Sequence, residues 1–518
     1  MTATIAAAPP VSAEVHAVDP RRRILRIDYA LSAVIAALTL VTRMFNIGNY
    51  PRWFIDEGVY VSQAWAVKNL GELAPYTYWY DHPPFGWIQI AGWFGLSGAL
   101  ERNGASSIMA GREYMAVLAV VTAVLIYALA RRLGVRVGFA LLASLLYVFS
   151  PLAIAYSRYV LLDNIAIAWA LAAMFLTLNP KRKISAAILA ALCMAAAVLS
   201  KETALLLVPA VLYLGWVHYR HSSNRSHGLI VSATIFVIMG MMYPLFAILK
   251  GELIPGAGHV SLVDGQILFQ LANRQGSGSF FDPASPARQL AQSAWLGLDS
   301  WLPIGGLICL VPALFVKKLH GPAIALGVQV LVLLRGGYLP YPFIIGLLPF
   351  MALLIGGVAD AIWGLAKRMP GKTVRSVMLF AVSLSLPVAI VFGAGPGWAK
   401  TSVGQFTDNA ASAQQEALVW VENELPRDAV VITEGELWLD IVDRGYSNTQ
   451  VVWIYKVDTD PAVRVSYTKT GIDYLLLNRE TINQSDNYPT VSELLKRASV
   501  AATFGQDSSQ IVALKVAP

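Results

Sequence analysis

Phe85-Gly86-Trp87-Ile88-Gln89-Ile90-Ala91-Gly92-Trp93-Phe94-Gly95-Leu96-Ser97-Gly98 decides the layout of this chain. The stretch is apolar and aromatic, and its length alone would nearly allow it to cross a bilayer. If it crosses, the short basic loops that follow land outside. If it lies in the interface, anchored by Trp79, Trp87 and Trp93, they all fall inside. Those loops carry Arg131/Arg132/Arg136, Lys181/Arg182/Lys183, Arg220/Arg225, Lys317/Lys318 and Lys367/Arg368/Lys372/Arg375. Cytoplasmic loops are enriched in Lys and Arg, so the interfacial reading is adopted.

The rest of the layout follows from it. Of the 518 residues, 56% are hydrophobic and only 14% charged, and the mean hydropathy is +0.56. A soluble domain carries about 25% charge, so the chain reads as a polytopic helical membrane protein. Its net charge of +7 needs no nucleic-acid partner, because the basic residues sit in loops between apolar runs. Cys193 and Cys309 fall inside apolar runs and imply no disulfide framework.

Residues 1–26 read as a disordered cytoplasmic tail. Arg21, Arg22, Arg23 and Arg26 precede an uncleaved first span at 27–45. Further spans are expected near 113–130, 137–156, 164–178, 184–200, 203–217, 229–249, 295–316, 321–334, 338–363 and 374–394, about eleven in all. They form an all-α membrane domain over 27–398, with external loops at 46–111 and 250–293. Within the first loop a helix is expected at 57–70, stopped by Gly71. Residues 399–518 are more charged and alternate. Strands are expected at 429–433, 450–455, 472–477 and 510–516, with helices at 412–425 and 489–498. That pattern predicts a small α/β domain, external because the span count is odd.

Four polar clusters fall on the external face. In Trp53-Phe54-Ile55-Asp56-Glu57-Gly58-Val59-Tyr60, Asp56 reads either as a helix N-cap or as a general base for an acceptor hydroxyl. Tyr60 joins it as a substrate-binding candidate. In Asp81-His82-Pro83-Pro84, the prolines make a rigid loop entry that also fixes His82 near a phosphate or acceptor. In Arg158-Tyr159-Val160-Leu161-Leu162-Asp163-Asn164, Arg158 and Asp163 are either interfacial structural residues or a second charged pair for chemistry. In Ser200-Lys201-Glu202-Thr203, Lys201 and Glu202 either pair with each other or line a polar cavity. Arg112, Arg274 and Arg288 are external cations suited to a phosphate, with Arg274 beside Gly276 and Gly278 in a flexible loop. No spacing typical of a metal site occurs.

Together these elements resemble the GT-C superfamily of membrane glycosyltransferases, in particular the protein O-mannosyltransferase and aminoarabinose-transferase branch. Asp56-Glu57, His82-Pro83-Pro84-Phe85-Gly86 and Arg158…Asp163 match that branch's acidic pair, Pro-Pro-x-Gly element and Arg-x-x-x-x-Asp motif. Phe85 stands where Leu is usual, and no Lys follows Gly86. The resemblance covers roughly 25–250. It implies an inverting transfer of a sugar from a polyprenyl-phosphate donor to a lipid, glycan or protein acceptor, at the external face of the inner (plasma) membrane and among its lipids. Asp56 would be the base, with Glu57 and Asp163 positioning it or the acceptor. Arg274, with Lys201 and Arg112 behind it, would stabilise the leaving phosphate. No metal is obligatory, although a divalent ion could bridge the carboxylates. The alternatives are a transporter of lipid-linked sugars, or a catalytically silent scaffold that binds wall polymers. Transporters place their ionisable residues near the bilayer midplane.

Overall fold

A computed structural model describes residues 26–103, 106–220, 225–256, 258–460, 462–463, 471–506 and 509–517. The expected tail over 1–26 lies, but for Arg26, outside them. Seven helices among the described residues are long and apolar enough to cross a membrane. Two bent pairs raise the number to nine if each is one span: Val137–Phe149 with Pro151–Arg158, at 62°, and Pro286–Leu296 with Trp301–Ala313, at 111°. The first bend has a local cause. Proline cannot donate the helical hydrogen bond, and Ser150 restarts the helix by capping it, its Oγ accepting from Ala153 N at 3.3 Å. Leu162–Thr177 and Ile184–Ser200 are apolar but shorter than a typical span. The expected count of about eleven requires both of these to cross as well. The chain is a multi-span membrane protein.

Three helices frame the polar end of the bundle: α1, Arg26–Met44; α2, Ile55–Asn69; and α3, Phe85–Ser97. Helix α2 begins two residues earlier than expected. Phe54, in extended conformation, occupies the cap position, so Asp56 falls in the first turn and the N-cap reading of Asp56 is overturned. The Glu57 carboxylate takes up the Phe54 N–H at 3.0 Å, one half of a capping box. Acids in a first turn also suit the helix dipole. Gly71 takes a left-handed φ of 71° just past the end, as its stop role requires. Helix α3 is the opening stretch. Its thirteen residues rise about 20 Å, short of a bilayer core of about 30 Å, and Gly98 ends it with φ 61°.

The C-terminal region folds as a five-stranded sheet of order β2-β1-β3-β5-β4. The strands are β1 Val431–Thr433, β2 Val451–Trp453, β3 Tyr474–Asn478, β4 Ala498–Phe504 and β5 Ile511–Val516. β1 pairs in parallel with β2 and β3, whereas β5 runs antiparallel to β3 and β4. Two expectations need correction here. The helix expected to run to 498 stops at Leu495, and the chain then enters β4. The helix Gly435–Asp443, which links β1 to β2, was not foreseen. The supposed loop at 250–293 also contains helical turns, at Val263–Asn273 and Pro286–Leu296.

The sheet domain sits directly on the α2 region. Ser107 N donates to Asp440 Oδ1 at 2.6 Å, and Tyr76 Oη donates to the Val451 carbonyl at 2.8 Å. Lys456 Nζ donates to the Thr77 carbonyl at 2.9 Å and lies 3.8 Å over the Trp79 ring. The helix Gly435–Asp443 packs against α2, where Gly58 meets Gly435 backbone to backbone.

Candidate active site

The segments singled out in the sequence converge on one another. A Cβ on Gly86 would meet Leu162 Cδ2 at 2.6 Å and the Ser200 carbonyl at 3.1 Å. The glycine after the two prolines therefore lets α3 press against both the 158–164 and the 200–203 elements. His82 is held between the last pair of candidates. Lys201 Nζ lies 2.8 Å from its Nε2, and Glu202 Oε2 lies 3.0 Å from its Nδ1. Lys201 Nζ also lies 3.3 Å from Nδ1, so the two side chains hold the imidazole at both nitrogens. The Tyr78 hydroxyl donates to the His82 carbonyl at 2.5 Å, locking the backbone as well.

His82 borders a cavity of about 760 Å³. Asp56, Tyr60, Asp81 and Arg274 line it too, with Ser261, Asp264 and Gln270 from the 259–274 segment. Asp56 is partly buried. Burial raises its pKa, and Lys201, His82 and Arg274 oppose that rise. A carboxylate made more basic by burial, beside groups that oppose its protonation, suits proton abstraction. Arg274 holds its guanidinium 3.5 Å over the Tyr338 ring, with Nη1 donating to Gln270 Oε1 at 2.8 Å. It is therefore pre-oriented in the cavity wall rather than carried on a flexible loop. The Tyr60 ring faces the cavity and stacks on Trp87 with centroids 6.5 Å apart.

Three expected site residues are used elsewhere. Glu57 is fully buried, and Arg112 grips it with Nε–Oε1 at 2.8 Å and Nη2–Oε2 at 2.7 Å. Its oxygens also accept from Val160 N and Phe54 N, so no capacity remains for a substrate. Arg112 donates onward to the Ile47 carbonyl at 2.8 Å. Arg158 donates to the carbonyls of Thr42, Phe45, Tyr50 and Gln405. Its cation answers the unpaired carbonyls at the C-terminal end of α1, where helix dipole and hydrogen bonding both favour it. Glu57, Arg112 and Arg158 are thus structural ions, not ligands of the cavity. Asp163 opens on a separate pocket of about 20 Å³ beside Thr203 and Gln329. Lys201, Glu202 and His82 are its charged and polar neighbours.

Sequence reasoning passed over Asp81, Tyr338, Tyr455 and Tyr488. Asp81 adjoins His82 and could have been taken with it. Tyr338 follows Gly336-Gly337 between two apolar runs, a weaker signal. Among the described residues, no group of three His, Cys, Asp or Glu is arranged to hold a metal ion. A divalent bridge between Asp56 and Glu57 does not fit, since Glu57 is committed to Arg112.

Residues 33–249 match the family model described as dolichyl-phosphate-mannose-protein mannosyltransferase. Among curated proteins, none matches the chain in sequence. Among solved structures, ArnT from Cupriavidus metallidurans, bound to undecaprenyl phosphate, superposes with a TM-score of 0.56 at 13% identity, covering 95% of this chain and 98% of its own. The Archaeoglobus fulgidus oligosaccharyltransferase, tethered to an acceptor peptide, gives 0.53 at 10% identity over 93% of this chain and 74% of its own. The chain thus shares the fold of ArnT, and its residues 33–249 match the dolichyl-phosphate-mannose-protein mannosyltransferase model.

Proposed function

We propose that the protein transfers a sugar from a polyprenyl-phosphate carrier to an acceptor hydroxyl, with inversion, at the external face of the membrane. The observation that carries this reading is that Asp56 and Arg274 share one cavity. One is a carboxylate made more basic by burial; the other is a fixed guanidinium suited to a phosphate. In the reaction, Asp56 accepts the acceptor's hydroxyl proton as that oxygen attacks the anomeric carbon. The bond from that carbon to the phosphate oxygen breaks on the opposite face. The lipid phosphate leaves with the bonding pair, and Arg274 stabilises its added charge. Lys201 and Arg274 keep positive charge near Asp56.

The family model's description and the lipid bound to ArnT support a polyprenyl-phosphate donor. No observation favours the transporter or scaffold reading. The test offers a panel of radiolabelled polyprenyl-phosphate sugars to the purified protein and follows sugar release to water or acceptors. One donor should turn over, and Asp56→Asn should abolish turnover while leaving donor binding intact. Equal turnover by Asp56→Asn would remove the base from the mechanism.

A further inference from the structure

We infer that Tyr455 of the C-terminal domain is an acceptor-binding residue, and that the acceptor presents a sugar ring to it. The inference rests on the transferase reading above and assigns its second substrate. Tyr455 and Tyr488 line the same cavity as Asp56, although both belong to the sheet domain. Tyr455 is held rigidly. Its ring stacks on Trp453 with centroids 5.7 Å apart at 28°, and meets Trp79 edge-on at 6.2 Å. Trp79 is in turn gripped by Lys456, the next residue along. Tyr455 lines the cavity, and among the described residues its hydroxyl takes part in no hydrogen bond.

Tyr338, outside the cavity lining, packs against Arg274, the cation suited to a leaving phosphate. Tyr455 has Asp81 and Asp56 as charged neighbours, with Lys456 Nζ 5.8 Å from its ring centroid. An inverting displacement puts nucleophile and leaving group on opposite faces of the anomeric carbon, so the acceptor belongs beside the base, Asp56, whose cavity Tyr455 lines. Burial, and then Asp81 and Asp56, hold the Tyr455 phenol well above its ordinary pKa. It therefore stays an O–H donor at any working pH. Aromatic faces packed beside carboxylates, hydroxyls and amides suit a ring that is apolar on its C–H faces and polar at its rim. A bare serine or threonine side chain would leave those faces uncovered.

The test compares wild type, Tyr455→Phe and Tyr455→Ala as full-length protein in nanodiscs. Each uses the donor that wild type turns over, with alkyl glycosides and a short Ser/Thr peptide as acceptor probes. Tyr455→Phe keeps the ring packing, so folding is preserved. Wild type should glycosylate a glycoside. Tyr455→Phe should raise its KM about three- to tenfold, the loss of one neutral hydrogen bond, and Tyr455→Ala should raise it further. Donor KM and sugar release to water should stay within about twofold of wild type, a split that a general structural defect would not produce. A rise in donor KM would place the ring on the donor sugar and overturn the inference. Unchanged acceptor KM, or transfer to the peptide alone, would overturn it as well. No turnover of any donor by wild type would instead remove the transferase reading, and this inference with it.

Discussion

Gly58 of α2 and Gly435 of the C-terminal domain touch backbone to backbone: a Cβ on Gly58 would overlap the Gly435 carbonyl. Conversely, a Cβ on Gly435 would stand 3.0 Å from the Ile55 carbonyl and 3.1 Å from Val59 Cγ2. The contact falls two residues after Asp56, so the same turn carries the proposed base and docks the sheet domain. Gly58→Ala should destabilise the protein by about 1–3 kcal/mol through overpacking, although alanine is the better helix former. Gly92→Ala in α3, where nothing lies within 4 Å, is the matched control and should be neutral or slightly stabilising. Thermal unfolding in detergent reads both. Equal melting temperatures for the two variants would mean that the close approach is not tight.

The buried Glu57–Arg112 pair should behave as a structural ion pair. Removing one partner leaves an uncompensated charge and costs about 3–5 kcal/mol. Glu57→Ala and Arg112→Ala should each lower the yield of folded protein, and the double variant should lose less than the sum of the two. A folded, stable Glu57→Ala with no turnover would return Glu57 to the chemistry.

Arg158 makes four hydrogen bonds to carbonyls, from a planar fork that lysine lacks. Arg158→Lys should therefore still cost about 2 kcal/mol or more in stability while leaving the donor KM unchanged. Steady-state kinetics on the surviving folded fraction, beside its melting curve, separate the two effects.

Turnover should fall on the acid side as Asp56 gains a proton, and it should do so above the ordinary carboxylate range, because burial raises that pKa. Lys201 opposes the rise. Lys201→Met should therefore move the acid limb of the kcat profile to higher pH, and a shift to lower pH would contradict the assignment.

Glu436 offers a second pH test, on stability. Burial, and then Glu434, raise its pKa, and its Oε2 has no hydrogen-bond partner. The folded state thus holds a proton that the unfolded chain releases at lower pH. Stability contributed by that proton is full in acid and is lost as pH rises through the raised value. Glu436→Gln should flatten the decline, so its melting temperature should gain on wild type at pH 9 relative to pH 6.

Much of this architecture was legible because hydropathy and turn chemistry are local. Gly71 closes α2 where the sequence placed a stop, and the strands near 431, 451, 474 and 511 follow alternating apolar residues. β4 was missed because Ala498–Phe504 is an edge strand with exposed and half-exposed positions and little apolar signal. Asp56, His82 and Arg274 are legible as polar residues of the external loops, and all three line the cavity. The same signal marked Glu57, Arg112 and Arg158. Sequence cannot separate an ion that faces a substrate from one that answers a carbonyl or another buried charge. Tyr455 could not be found at all, because it reaches Asp56 only through a domain contact made some 400 residues along the chain.

Under the proposed transfer, the buried ions around Asp56 and part of its cavity wall fall on different segments. Glu57, Arg112 and Arg158 set the frame of the acid, and none of them lines the cavity. Ser261, Asp264 and Gln270 do line it, and all three come from one short stretch of chain. Exchanging residues 259–264 would therefore remodel part of the wall while Gln270 keeps Arg274 in place beside Asp56.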